Sequence, residues 1–455
     1  MEQLAKSLST FAGWLWGDWL LFVLLGVGIL YTIITGGVQI RYFPYIIRKT
    51  LWEPIRAKKN SSDEKGTISS FQALCTAVAS CVGSGNIVGV STAVLAGGLG
   101  AIFWMWVAAF VGMATKYGEI VLGILYREKD EKGSYIGGPM YYIRKGLHAP
   151  WLATLCALFM VIQIIGGNFI QSNTISGVMK ENFGVPRGIT GIVLVISIFL
   201  VALGGLKRLA YVAQKLVPIM AVIYVIGGIL IILINITKIP QVMLDIFYGA
   251  FGLRAMAGGA AGSMIIAMQR GVARGLYSNE AGEGSAPVIH SSASVKHPAE
   301  QGINGVTEVF LDTFVICTIT GLVIGVTGVL NSGVSGDMLV IHAFATVWEP
   351  LRYLVTISLL LFCTTTLMSQ WYFGFVGLSY LFHNKIADLF KYIFPCFCMI
   401  GALAKLELVW TIQDIALGLL TIPNLIALVV LWPKVRLATK EFFGEKATCT
   451  SGSVL

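Results

Sequence analysis

The chain has 455 residues, 56% of them hydrophobic and 12% charged, with a mean hydropathy of +0.79. Soluble domains carry about 25% charged residues, so a string of two or three soluble domains is excluded and one membrane domain is the simpler reading. The net charge of +9 does not point to nucleic acid, because the basic residues are spread over alternate loops and not gathered with exposed aromatics on one face.

In chain order, apolar stretches long enough to cross about 30 Å of hydrocarbon lie near 14–36, 68–97, 99–126, 150–179, 188–206, 212–235, 252–282, 300–330, 351–381, 387–405 and 409–432. The first, Trp14 to Gly36, is too long for a cleaved leader and is expected to remain as a helix. Loops are short. The longest, 37–66 and 127–149, cannot fold as independent domains, so function has to sit inside the helical bundle. Placing loop 37–66 in the cytoplasm puts 24 of the 32 lysines and arginines inside, Arg270 and Arg274 among them, and seven outside. That bias predicts an external N-terminus and a cytoplasmic C-terminus. Cysteines 75, 81, 156, 317, 363, 396 and 398 fall in apolar segments, where a thiol behaves as a small hydrophobe.

Two spans differ from ordinary membrane helices. Thr76–Gly100 and Ala255–Pro287 are crowded with glycine, serine and asparagine, and irregular backbone survives at membrane depth only where protein or a cavity satisfies it. Setting the first helix aside, ten spans divide five and five, and the two odd helices open each half in opposite directions. Paired broken helices in inverted halves point to a transporter's substrate site. A break at Gly83-Ser84-Gly85-Asn86 would offer free N–H groups and a positive dipole end to a carboxylate. The preceding half-helix would end in carbonyls around Ala79 to Val82, suited to a hard cation or an ammonium. Close helix packing through Gly85 and Gly89, spaced as in GxxxG, is the plain alternative. The second break falls either at Gly258–Gly262 or at Gln269–Gly271; the latter mirrors the first helix better.

Further polar residues stand inside the spans. Asn168, Gln171 and Asn173 lie within six residues of an apolar helix, with Asn168 and Gln171 on one face; they need a cavity or interhelical amide bonds. Phe169, Ile265, Met268 and Trp371 are candidates for an apolar pocket around a small side chain, with plain core packing as the alternative. Lys116 and Glu119 are spaced for an ion pair, and Glu308 and Asp312 form an intramembrane acidic pair at i, i+4 that would support a proton-coupled mechanism or a structural network. Arg274, Glu280 and Glu283 are expected at the inner mouth. The five histidines fall in loops or at helix ends, which leaves no enzyme-like cluster, and no repeated pore motif supports a channel.

The stretch Ser80-Cys81-Val82-Gly83-Ser84-Gly85-Asn86 resembles the unwound first helix of the LeuT-fold transporters. The chain as a whole resembles the bacterial and archaeal alanine/glycine:sodium symporter family of the amino acid–polyamine–organocation superfamily. The signatures are GSGNIVGVSTA at 83–93, GMATKYGE at 112–119, GGPMYYI at 137–143, GNFIQSN at 167–173 and RGLYSNEAGEGSAP at 274–287. His290 departs from the family's usual alanine, at a position expected to face the cytoplasm. The resemblance implies an all-α LeuT-type 5+5 inverted-repeat bundle with one extra N-terminal helix. Its divisions are residues 1–66, a first repeat 67–235, a second repeat 236–432 and a tail 433–455. It implies sodium as coupling ion, no organic cofactor, a lipid bilayer around the protein, no nucleic acid, and a monomer as one of several open oligomeric states. It places the N–H groups of Ser84 and Gly85 on a substrate carboxylate, with Asn86 beside them, so that a side chain added at Gly85 would occupy the carboxylate's place. Sodium would be held by the carbonyls of Ala79 and Val82 with hydroxyls of Thr364-Thr365-Thr366, Thr364 and Thr365 preferred. Asn168, Phe169, Gln171, Ile265, Met268, Gly271 and Trp371 complete the implied substrate site. The implied activity is sodium-driven import of a small neutral amino acid of the alanine/glycine class. Proton coupling, or glutamine or serine as substrate, are the rivals.

Overall fold

The computed structural model describes residues 2–56, 68–130, 133–252, 262–382, 384–404 and 406–451. After α1 (Glu2–Leu15) and α2 (Asp18–Ile34) come α3 (Ser70–Cys81), α4 (Gly85–Gly97), α5 (Gly100–Leu125), the short α6 (Pro139–Gly146), α7 (Pro150–Phe183), α8 (Arg187–Leu203), α9 (Gly205–Ile234) and α10 (Ile239–Ala250). The second part contains α11 (Gly262–Asn279), the short α12 (Ala286–His290), α13 (Pro298–Thr327), α14 (Leu339–Val347), α15 (Leu351–Leu381), α16 (Asn384–Leu403) and α17 (Leu406–Ser451). Among the described residues, eight helices are long and apolar enough to cross a membrane, α1 and α2 counting as one, and α3 with α4 forms a ninth span bent by 50°. The shorter apolar α8, of 17 residues, and α11, of 18, stand at two further stretches of the eleven expected from the sequence.

The apolar residues face both ways. On α8, Ile189, Ile192, Val193, Ile196 and Leu200 are each more than half exposed, at the i, i+3, i+4, i+7 spacing of one helix face. In water such a face would be a liability; against lipid tails it costs nothing. The polar residues turn inward: Lys116, Glu119, Asn168, His290, Glu308 and Asp312 are all fully buried, where each needs a partner.

At the end of the bundle carrying the basic residues 37–56, the strands β1 (Ile68–Ser69) and β4 (Ala293–Ser294) pair in parallel. This ties the start of α3 to the chain leaving α12, and Arg127 clamps the junction by donating to the carbonyls of Ser291 and Ala293 at 3.1 and 2.6 Å. Nearby, Glu128 of a small hairpin, β2 (Glu128–Lys129) with β3 (Tyr135–Ile136), accepts from Arg144 and Lys145 at 2.5 and 2.7 Å. Burial pushes this carboxyl up, but the hydrogen bonds from Lys145 and Arg144 outweigh it and hold it below the usual carboxylate range.

The second break corrects the sequence expectation. Alpha-helix α11 runs unbroken through Gln269–Gly271, and 258–261 of the other option lie outside the described residues. The chain leaves helical geometry at Glu280 (φ 55°), Gly282 (φ 96°) and Gly284 (φ 94°), and resumes at Ala286. One charge assignment changes as well. Gln269 donates to Asp18 at 2.7 Å, and Arg270 and Arg274 line a cavity of about 290 Å³ with Ser9, Trp16 and Asp414. Two arginines counted with the basic end therefore lie at the opposite end, which weakens the bias without reversing it.

Candidate substrate and ion site

Alpha-helix α3 opens on a capping box, Ser69 Oγ accepting from the Gln72 N–H and Gln72 Oε1 from the Ser69 N–H. It ends at Val82, whose backbone is extended (ψ 92°). Two side chains hold the break open. The Gly83 N–H, which in a continuous helix would bond the Ala79 carbonyl, donates instead to Asn86 Oδ1 at 2.9 Å. The Ser84 N–H donates to Gln171 Oε1 at 3.1 Å. Asn86 in turn donates to Asp312 Oδ1 at 2.6 Å, which staples the break to α13. Beyond the break the chain resumes with a wide turn over Gly85–Gly89.

The diverted N–H groups leave carbonyls over. Thr366 Oγ1 lies 3.1 Å from the carbonyl of Ala79, 3.3 Å from that of Val82 and 3.0 Å from that of Phe362, its own i−4 neighbour. The carbonyl of Phe362 also accepts from Thr365 within α15, and one hydroxyl proton can serve only one of the two break carbonyls. The excess of oxygen over hydrogen is what a sodium ion requires, and ends of broken membrane helices supply it elsewhere. The residues present therefore suit a small hard cation. Gly83 closes the same spot: a Cβ there would lie 2.6 Å from Thr366 Oγ1 and 2.9 Å from Gln171 Nε2.

The second break packs against the first. Tyr277 and Ser278 lie against Gly85, whose added Cβ would sit 3.1 Å from Ser278 Cα. Ser80 donates to Glu280 across a long 3.5 Å, and Ser285 donates to the same carboxylate oxygen at 2.7 Å. Behind the breaks runs a buried charged network. Lys116 Nζ donates to Glu308 Oε1 and to the Asn279 carbonyl, both at 2.6 Å. Glu308 Oε2 faces His290 Nε2 at 3.2 Å, and His290 Nδ1 meets Gln301 at 2.7 Å. Asp312 accepts from Asn86, Ser278 and Thr313. The expected Lys116–Glu119 pair is not formed: Glu119 accepts from Asn424 at 2.5 Å and the Gly282 N–H at 3.3 Å. His290, expected to face the cytoplasm, is buried in the network.

The structure brings Ala79, Val82, Ser84, Asn86 and Gln171 together and moves several other candidates away. Asn168 contacts Cys398 at 3.3 Å, and Phe169 packs edge-on to Phe397, so both face α16. Ile265 is 45% exposed, Met268 is half-buried, and a Cβ on Gly271 would strike the Ala101 carbonyl of α5 at 2.3 Å. Thr365 bonds its own helix and the Met220 sulfur on α9, and Thr364 is half-buried; the hydroxyl at the carbonyls belongs to Thr366. Gly85 faces α11, and a Cβ there would press on Ser278 Cα and the Tyr277 ring at 3.1 and 3.2 Å. Trp371 is buried against Tyr372 and Phe375. Arg274 is not at the basic end; it reaches Asp414 at 3.3 Å and stacks over Trp410. Sequence reasoning missed the Lys116–Glu308 bond, although two isolated membrane charges of opposite sign were a signal to pair them across helices.

Two broken helices crossing at mid-bundle, with free carbonyls at one break, define a secondary transporter of the LeuT fold. A solved structure, MhsT in complex with L-phenylalanine, matches with a TM-score of 0.57 at 15% identity over 83% of this chain and 93% of that one. The model of the sodium:alanine symporter family matches residues 1–453, and the chain belongs to that family of transporters. The sodium/alanine symporter AgcS of Methanococcus maripaludis is 40% identical over 95% of this chain and 96% of its own length. The probable sodium/glutamine symporter GlnT of Bacillus subtilis is 36% identical over 98% and 92%.

Proposed function

We propose that the protein imports a small neutral amino acid of the alanine/glycine class by sodium symport, with its N-terminus outside and its C-terminus in the cytoplasm. The observation that carries this reading is the pair of break carbonyls, Ala79 and Val82, around the Thr366 hydroxyl. Sodium bound there pulls the end of α3 onto α15. That fixes Gly83 and Ser84 beside Gln171, whose amide yields the Ser84 N–H to the substrate carboxylate. The two halves then rock about the crossed breaks and open the site to the other side; no bond is made or broken. Agreement of this spot with what the broken helix needs on electrostatic grounds supports the assignment.

The test is uptake of labelled alanine into proteoliposomes. An inward sodium gradient is expected to drive accumulation; uptake indifferent to sodium overturns the coupling. The proton-coupled rival predicts instead that Asp312→Asn stops transport while Thr366→Val leaves it intact. For orientation, a fluorescent-protein fusion to the C-terminus is expected to mature in the cytoplasm; a dark fusion reverses the topology.

A further inference from the structure

At the end of the bundle opposite the basic residues 37–56, the first helix leaves a charged hollow against the helices behind it. This cavity of about 290 Å³ lies between Ser9 and Trp16 of α1, Arg270 and Arg274 of α11, and Thr411 and Asp414 of α17. Its walls hold two guanidinium groups and one carboxylate. Arg274 takes that carboxylate, donating to Asp414 at 3.3 and 3.4 Å, and lies over the Trp410 ring at 4.7 Å. Asp18, at the start of α2, accepts from the Gln269 amide at 2.7 Å. Arg270 stands one turn from Arg274 on the same helix face; it is exposed and has no acidic partner among the described residues. The hollow is one negative charge short.

The setting is that of a membrane surface. Phe11 and Trp14 of α1 and Trp19 of α2 are exposed and contact one another in a row, with ring centroids 5.8 and 5.7 Å apart. Exposed aromatics of this kind belong at the level of lipid headgroups. Further along α2, Phe22, Ile29 and Ile33 are each more than half exposed, a face that suits acyl chains and not water. Trp16 turns the other way and donates its indole N–H to the Asp414 carbonyl at 2.8 Å, which fixes one wall of the hollow. A ligand for the hollow must bring a negative charge and acceptor oxygens, because a guanidinium is a fork of donors with no acceptor. A phosphodiester brings both, and arginine meets two of its oxygens side by side. A free amino acid fits less well: its ammonium would need the Asp414 carboxylate, which Arg274 already holds.

We propose that the hollow between α1, α11 and α17 binds the phosphodiester headgroup of a membrane phospholipid, with Arg270 as its cation. The bound lipid lays its acyl chains along the exposed face of α2 and fastens the first helix to the bundle. This site is independent of which substrate or ion the protein carries.

The test is hydrogen exchange of the whole protein, lipid-depleted in detergent, read in peptides from residues 2–17, which lie far from any lipid bound at the basic end. Phosphatidylglycerol added back is expected to slow exchange there by about tenfold or more, the effect of one hydrogen bond to a charged group. The same concentration of a diacylglycerol with identical chains, of inorganic phosphate, or of L-alanine is expected to leave exchange unchanged. Arg270→Gln should lose the protection, and Arg270→Lys, which keeps the charge without the fork, should retain part of it. Protection by diacylglycerol, or full protection in Arg270→Gln, overturns the headgroup site. Protection by inorganic phosphate or alanine equal to that by the lipid shows an open anion site and overturns the lipid. Should the variants fail to fold, the comparison of the four additives on the unaltered protein decides alone.

Discussion

The Thr366 hydroxyl and the carbonyls of Ala79 and Val82 would form a compact ion-binding set. Replacing Thr366 by valine keeps the shape and removes the oxygen. A hydrogen-bonding group facing a charge is worth about 1.5–3 kcal/mol, so Thr366→Val is expected to weaken sodium dependence of uptake by roughly ten- to 150-fold. Thr365→Val removes a hydroxyl bonded within α15 and to Met220, and should leave the sodium dependence near that of the unaltered protein. The two curves of uptake against sodium concentration check both statements. Lys116 and Glu308, both fully buried, belong to a different kind of prediction. Removing one partner of a buried ion pair costs about 3–5 kcal/mol, whereas apolar replacement of both is often tolerated. Glu308→Gln is expected to lower the melting temperature in detergent sharply, and Lys116→Met with Glu308→Leu to recover most of the loss. His290, which also faces Glu308, keeps the recovery from being complete.

Among the elements, the broken helices set the geometry. Both glycines of the first break are close-packed, but against different neighbours. Gly83→Ala would drive a methyl to 2.6 Å from the Thr366 hydroxyl, whereas at Gly85 the nearest atom is Ser278 Cα at 3.1 Å. Overpacking of this kind costs about 1–3 kcal/mol, and only at Gly83 does the displaced atom belong to the ion site. Gly83→Ala is therefore expected to raise the sodium concentration for half-maximal uptake, while Gly85→Ala lowers expression or stability with the sodium curve unchanged. The hairpin clasp at the basic end depends on pH. Because Glu128 is held below its ordinary value by Arg144 and Lys145, its contribution is fully present above the unfolded carboxyl pKa of about 4.3. It fades as pH falls through the lower folded value. Protease cleavage within residues 127–149 should accordingly increase only in that acid range, and Glu128→Gln should show the increase at neutral pH.

For the whole molecule, sodium that binds the folded bundle and not the unfolded chain must stabilise it. At a hundredfold excess over Kd the gain is about 2.7 kcal/mol. The melting temperature in detergent should thus rise with sodium at constant ionic strength, and the rise should vanish in Thr366→Val. An unchanged melting curve for the unaltered protein would remove the ion from this site. An ion bound at this site would join α3 to α15, helices far apart in the chain, and so would give a local event a reach across the bundle.

How much was legible beforehand follows from the kind of signal each feature leaves. Eleven spans, the outer apolar faces and the first break could be read directly, because hydrocarbon imposes length and composition on each helix separately and four adjacent small or polar residues cannot hide in one. The free carbonyls around Ala79 to Val82, at the end of the first half-helix, followed from the same local reasoning. The rest depended on helix rotation and on partners hundreds of residues away. Which of three consecutive threonines faces Ala79 is a matter of about 100° per residue. Asn168 points to α16 while Gln171, three residues on, points to the break. Lys116 passes over Glu119 for Glu308, and the described chain breaks at Glu280–Gly284 while α11 runs on through Gln269–Gly271. Along the chain, local hydropathy and backbone chemistry determined that this protein crosses a membrane and breaks a helix within it. Only the packed bundle decided which polar side chains meet there, because a buried polar group is satisfied by whatever the fold brings to it.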